Sequence, residues 1–131
     1  MAQHDVGLIL MRQLASGLAV PMLLADENGD LLFFNEPAEV LLGQRFDDVG
    51  ELRLKERQQI FSFRDEQGVS LEIEQTPLVV ALHERRPLNR RVWMRGFDGS
   101  DREIEVTAFP LLGGGGHLIG AVAMFWARKK T

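Results

Sequence analysis

The chain nears its end on Leu118-Ile119-Gly120-Ala121-Val122-Ala123-Met124-Phe125-Trp126-Ala127, a run with no charge and no alternation of polar with apolar residues. It is about half the roughly 20 residues that a helix needs to cross a bilayer, and its β-branched and aromatic content reads as a strand. A strand that is apolar at every position needs cover on both faces. Ile119, Ala121, Ala123 and Phe125 are expected on one side, and Leu118, Val122, Met124 and Trp126 on the other. Any fold for this chain must therefore place material above and below its last strand.

The residues before that run supply its neighbours. Arg90 to Phe97 and Arg102 to Leu112 read as strands joined at Asp98-Gly99-Ser100-Asp101, and Gly113 to Gly116 links the second to the last, giving an antiparallel meander. Along Glu103-Ile104-Glu105-Val106-Thr107-Ala108 the alternation leaves one face buried and the other partly wet. Near the start, Val20 to Ala25 and Leu31 to Phe34 flank Asp26-Glu27-Asn28-Gly29-Asp30, where Asn-Gly signals a hairpin. Asn35 then caps a helix over Glu36 to Leu42, with Pro37 in its first turn and Gly43 as the residue that stops it. Thr76-Pro77 opens a second helix that runs to the break at Pro87. Between them, from Gln44 to Gln75, the pattern is weak and its elements stay unassigned.

An N-terminal helix is expected over Asp5 to Ser16, with Asp5 as cap and Gly17 as stop. Val6, Leu8, Leu10, Met11 and Leu14 spread over an apolar arc of roughly 200°, about twice the ~100° stripe that one packing surface requires. The helix is therefore expected both to cap its own domain and to meet a second partner. The domain division that follows is residues 1–16 as this helix, 17–128 as the core and 129–131 as a basic tail.

Composition removes several function classes. With 131 residues the chain fits one domain, and 45% apolar with 26% charged residues is ordinary globular composition. A net charge of −4 argues against a general nucleic-acid surface. The absence of cysteine excludes disulfides, a thiolate nucleophile and Cys-ligated metal centres. No basic segment leads into an apolar core and cleavage site at the N-terminus, so a cytoplasmic protein that does not associate with membranes is expected.

Three motifs occur in an order that resembles the PAS family. Leu31-Leu32-Phe33-Phe34-Asn35-Glu36-Pro37-Ala38-Glu39-Val40-Leu41-Leu42-Gly43 is similar to the family's second strand and first core helix. Gly96-Phe97-Asp98-Gly99-Ser100 followed by Glu103 to Leu111 looks like its penultimate hairpin and strand, and Gly120-Ala121-Val122 like the opening of its last strand. The resemblance covers about Ala15 to Trp126. It implies an α+β fold with a five-stranded antiparallel sheet, short helices on one face and an N-terminal capping helix. It also implies a sensor or dimerisation module, not an enzyme. The family commonly ends its last strand in an Asp-hydrophobic-Ser/Thr junction to an output domain. Trp126 to Thr131 departs from that pattern, which leaves a partner protein and an output domain outside this chain both open.

Relatives of this kind hold haem, flavin or a small metabolite between sheet and helices, and here no cofactor can be assigned. His83, on the helix before the last three strands, is the one position matching an axial haem ligand, and a partly exposed cap is the competing reading. His4 and His117 lack partners at metal-site spacing, so no metal is expected. An apolar pocket for a fatty acid or a flat hydrophobe would draw on Phe34, Phe61, Phe63, Leu82, Trp93, Phe109 and Met124, the same residues serving otherwise as plain core. A homodimer would use Val6, Leu10, Leu14, Ile119, Ala121 and Phe125. No catalytic residues are assigned; a cone-shaped isomerase would require Glu72 or Glu105 as a buried acid.

Overall fold

The computed structural model describes residues 6–128. The expected cap Asp5, His4 and the tail 129–131 lie outside the described residues. In chain order the elements are α1 (Val6–Ser16), β1 (Met22–Asp26), β2 (Leu31–Phe34), α2 (Glu36–Leu42), α3 (Phe46–Val49), α4 (Leu54–Ile60), β3 (Ser62–Arg64), α5 (Pro77–Glu84), β4 (Leu88–Arg95), β5 (Asp101–Leu112) and β6 (Leu118–Ala127). Short 3-10 turns occupy Ile73–Gln75 and Gly114–Gly116.

The strands form one antiparallel sheet in the order β2-β1-β6-β5-β4-β3. It has six strands where the sequence suggests five. The extra one is β3, a three-residue edge strand whose Phe63 pairs with Met94; with a charge and a serine at its ends it carries too little alternation to stand out. Strand β4 also begins at Leu88, directly after Pro87, and not at Arg90.

Cover falls on both faces, as the last strand demands. On the inner face, α2 to α5 close over a core that includes Phe34, Leu42, Leu82, Val92, Ile104, Ala121 and Phe125. On the outer face, α1 lies over the β2-β1-β6 end, where Leu8 and Ala15 bury against Met22, Leu24, Leu32 and Val122. Central β6 thus has Ala121, Ala123 and Phe125 inward and Val122 and Met124 outward. At its start the parity breaks. The β5–β6 register shifts between Leu111 and Leu112, so that Leu118 joins the inner core and Ile119 the outer one.

Asn35 ties these layers together. Its Oδ1 accepts the Met22 N–H at 2.9 Å and the Ala38 N–H at 3.2 Å, and its Nδ2 donates to the carbonyls of Ala15 at 2.9 Å and Val20 at 2.8 Å. One buried side chain therefore caps α2, starts β1 and fixes the end of α1. At the other end of α2, Gly43 takes the left-handed conformation that stops the helix, at φ 81°. The Leu41 carbonyl then accepts from Arg102 Nε at 3.1 Å and the Leu42 carbonyl from the Phe97 N–H at 3.0 Å.

Two substitutions test this framework. Asn35→Ala leaves buried donors and acceptors in three segments without partners and is expected to cost roughly 3 kcal/mol in urea denaturation. Gly120→Ala brings a Cβ into the Ala25 carbonyl oxygen across the β1–β6 pairing and against Leu8 of α1. A loss of roughly 2–4 kcal/mol is expected, and a loss under about 0.5 kcal/mol would show that the two strands part easily.

Candidate functional site

The inner layer is built on two unequal supports. Helix α5 is the more deeply set, burying Pro77, Leu78, Val79, Ala81 and Leu82 against the sheet. Thr76 precedes it, buried, its hydroxyl donating to the Ile73 carbonyl at 2.6 Å. Helix α4 is short and mostly polar, Leu54-Lys55-Glu56-Arg57-Gln58-Gln59-Ile60. Its first turn is held by Asp30, whose Oδ1 accepts the Leu54 N–H at 2.9 Å, while Glu56 accepts the Arg53 N–H.

That anchoring turns Arg57 inward. Its side chain is 4% exposed, and together with Leu23, Phe63, Thr76, Leu78, Met94, Ile104, Val106, Ala123 and Phe125 it lines a cavity of about 40 Å³ between α4, α5 and the sheet. Neither Nε nor Nη2 of Arg57 has a hydrogen-bond partner. Removal from water lowers the guanidinium pKa to about 10, partly opposed by the field of Asp30. At neutral pH it therefore remains a cation inside an apolar wall.

The seven residues expected to line a pocket do not converge. Phe34, Phe61, Phe63 and Leu82 lie on the inner side, where Phe34 packs edge-on to Phe46 and Phe61 edge-on to Phe97, at centroid distances of 5.2 and 4.7 Å. Of these, Phe63 alone reaches the cavity. Phe109 and Met124 belong to the outer cluster beneath α1. Trp93 alternates with buried Val92 and Met94 and stands half-exposed, with the Arg64 guanidinium 5.9 Å from its ring. The sheet itself separates the two groups, because neighbouring residues of a strand point to opposite faces.

The family's larger cofactors do not fit these residues. His83 is exposed at the last turn of α5, and a site for flavin or haem needs several hundred Å³, against a cavity of about 40 Å³. Among the described residues, no group of three or more His, Asp or Glu side chains could hold a metal. Glu72 is exposed and opens a 3-10 turn. Glu105 is half-buried and accepts from Asn89 Nδ2 at 3.2 Å.

The expected interface residues divide in the same way. Val6, Leu10 and Leu14 are 67%, 59% and 54% exposed, and Ile9, which the sequence reading omitted, is 49% exposed. Ile119 packs beneath α1. Ala121 and Phe125 face the inner core and are out of reach of any partner. Beyond α1 the outer face carries polar contacts, Asn89 Nδ2 to Thr107 Oγ1 at 2.8 Å and Arg128 to Glu103 at 2.6 Å. Among the described residues no helix is long and apolar enough to cross a membrane.

Comparison with known proteins bears on the whole architecture. A family model described as the PAS fold matches residues 9–126. The chain is similar to the PAS domain of BvgS from Bordetella pertussis, at 19% identity and a TM-score of 0.65, over 96% of this chain and 89% of that one. It is similar also to the PAS domain of nitrogen regulation protein NR(II) from Vibrio parahaemolyticus, at 18% identity and 0.61, over 91% and 98%. The LOV protein of Rhodobacter sphaeroides aligns at 14% identity and 0.71, over 96% and 70%. No curated protein matches the chain. At these identities the solved structures speak for the fold, and the family match spans nearly all of the folded chain: it belongs to the PAS family of sensor domains.

Proposed function

We propose that this PAS domain is a signalling module that works as a homodimer in the cytoplasm, joined through the outward face of α1, and that it passes its state to a partner protein or an output domain. The observation that carries this reading is the row Val6, Ile9, Leu10 and Leu14, each about half-exposed or more. On one helix such positions form a continuous stripe. A contiguous apolar stripe left on a surface is unusual for a monomer and is the common mark of an interface.

The placement of the rest of the helix supports the same reading. Leu8 and Ala15 seat α1 on the sheet, and Arg12 lies with its guanidinium 4.6 Å from the Phe33 ring centroid and 5.3 Å from that of Phe46. The inward face is thus engaged by the domain's own residues, and the outward stripe is surplus to them. A second copy offers the same stripe in return, the self-complementary arrangement of a two-fold dimer. The adjoining sheet face carries Asn89, Glu103, Glu105 and Thr107 beside the 40%-exposed Trp126, a mixed polar and aromatic margin to such an interface.

Sedimentation equilibrium tests the proposal. The unaltered chain is expected at twice its 14.8 kDa mass. Leu10→Glu with Leu14→Glu buries two unpaired charges per subunit and should weaken association roughly 100-fold or more, while leaving the melting temperature of the monomer nearly unchanged because both positions face water. A monomeric unaltered chain, or a double variant that still sediments as a dimer, overturns it.

A further inference from the structure

The helices that close the inner face of the sheet are seated by opposite kinds of side chain. Helix α5 rests on Leu78, Val79, Ala81 and Leu82, all buried. Among the described side chains of α4, Arg57 alone is fully buried, while Leu54 and Ile60 are partly covered and Lys55, Glu56 and Gln59 face water. Cationic side chains are rarely taken out of water unless paired, yet Nε and Nη2 of Arg57 are sealed from solvent without a hydrogen-bond partner. Asp30 acts on the guanidinium through space and bonds to neither nitrogen. Burial therefore stabilises the seat of α5 and works against the seat of α4, a difference that the lowered guanidinium pKa also reflects.

The chain on either side of α4 is firmly held. Before it, Leu52 and Leu31 exchange both backbone hydrogen bonds, at 2.7 and 3.0 Å. After it, Phe61 is buried edge-on to Phe97, and Ser62–Arg64 pairs with β4. Residues 53–60 thus form a strap pinned at both ends. Between the pins, the Leu54 N–H ties it to the β1–β2 hairpin through Asp30 Oδ1 at 2.9 Å. Lifting the strap returns the guanidinium to water and uncovers little new apolar surface of α4, since Leu54 and Ile60 are already partly exposed. Seven residues are too few to hold a helix in water unaided, so a lifted α4 also unwinds.

We propose that residues 53–60 are a strap that opens as a unit while the sheet, α1 and α5 stay folded, carrying Arg57 from the interior into water and baring the wall of Leu23, Phe63, Met94 and Phe125. Closed and open are two states of one segment. Asp30 sets the balance between them, because it caps the closed helix and places a carboxylate field on the buried cation. The device is separate from the α1 stripe and stands whether or not α1 joins two subunits.

Native-state hydrogen exchange of the full chain tests it, read on single amides by NMR at a pH where exchange follows the opening equilibrium. The amides of Arg57 and Phe61, bonded to the carbonyls of Arg53 and Arg57, should exchange roughly 100-fold or more faster than the central amides of β5 and β6. Their rates should also rise much less steeply with low concentrations of urea, because opening the strap exposes little surface. Arg57→Met, which removes the charge and keeps an unbranched side chain, should slow exchange in the strap roughly tenfold or more. Asp30→Ala should speed it by a similar factor. If Arg57→Met does not fold, Asp30→Ala and the unaltered chain decide. Strap amides with the rate and urea dependence of β5 and β6 would mean that the segment opens only with the whole domain. A strap not slowed by Arg57→Met, or not loosened by Asp30→Ala, would mean that the buried cation and its carboxylate do not govern opening. Either result overturns the proposal.

Discussion

The four hydrogen bonds of Asn35 are the constraint on which the arrangement of layers depends. A carboxamide offers two acceptor and two donor positions, and all are used between three segments: the end of α1, the chain leading into and starting β1, and the first turn of α2. In a water-poor interior none of those backbone groups has a ready alternative, so the side chain fixes how the chain crosses from the outer face of the sheet to the inner one. Aspartate would lack the donors and serine the reach. The aromatic pairing of Phe34 with Phe46, and of Arg12 with both Phe33 and Phe46, then builds outward from that crossing.

How much of this could be read from the sequence follows from how local each signal is. The bounds of β2 and α2, the Asn35 cap and the Gly43 stop are legible because cap, Pro and Gly act within a few residues of where they stand. The two-sided burial of β6 is legible because it is a property of the run itself. Which side faces inward is not, since that is decided by pairing with β1 and β5 and by the shift at Leu111 and Leu112. That is why Ala121 and Phe125 read as interface and are core, and why Trp93, Phe109 and Met124 read as pocket and stand on the other side of the sheet. Strand β3 is too short for any period to show.

Arg57 is the instructive miss. In Leu54-Lys55-Glu56-Arg57-Gln58-Gln59-Ile60-Phe61 it sits among polar residues, in the stretch from Gln44 to Gln75 whose pattern is too weak to assign. Its spacing says otherwise: Leu54, Arg57 and Ile60 or Phe61 are three and four residues apart, the neighbours of one helical face. A charged residue that replaces an apolar one in such a row is carried inward by its neighbours. The Asp30 carboxylate, which caps α4 from the neighbouring β1–β2 hairpin, fixes that rotation through Leu54, and no reading confined to the helix would supply it.

Cavity and helix seat are carried by the same two strands. In β1, Leu23 lines the cavity while Met22 and Leu24 pack beneath α1; in β6, Ala123 and Phe125 line it while Val122 and Met124 pack beneath α1. One sheet thickness therefore separates the small cavity beside Arg57 from the seat of the helix proposed to join two subunits. Proximity alone does not make a signal, because a ligand shifts a two-state equilibrium only by the difference in its affinity for the two states. The geometry meets that requirement if the position of α1 alters the packing of Ala123 or Phe125. At Gly120 the absence of a Cβ lets β6 lie close to the Ala25 carbonyl and to Leu8 of α1, beside the point where the β5–β6 register shifts.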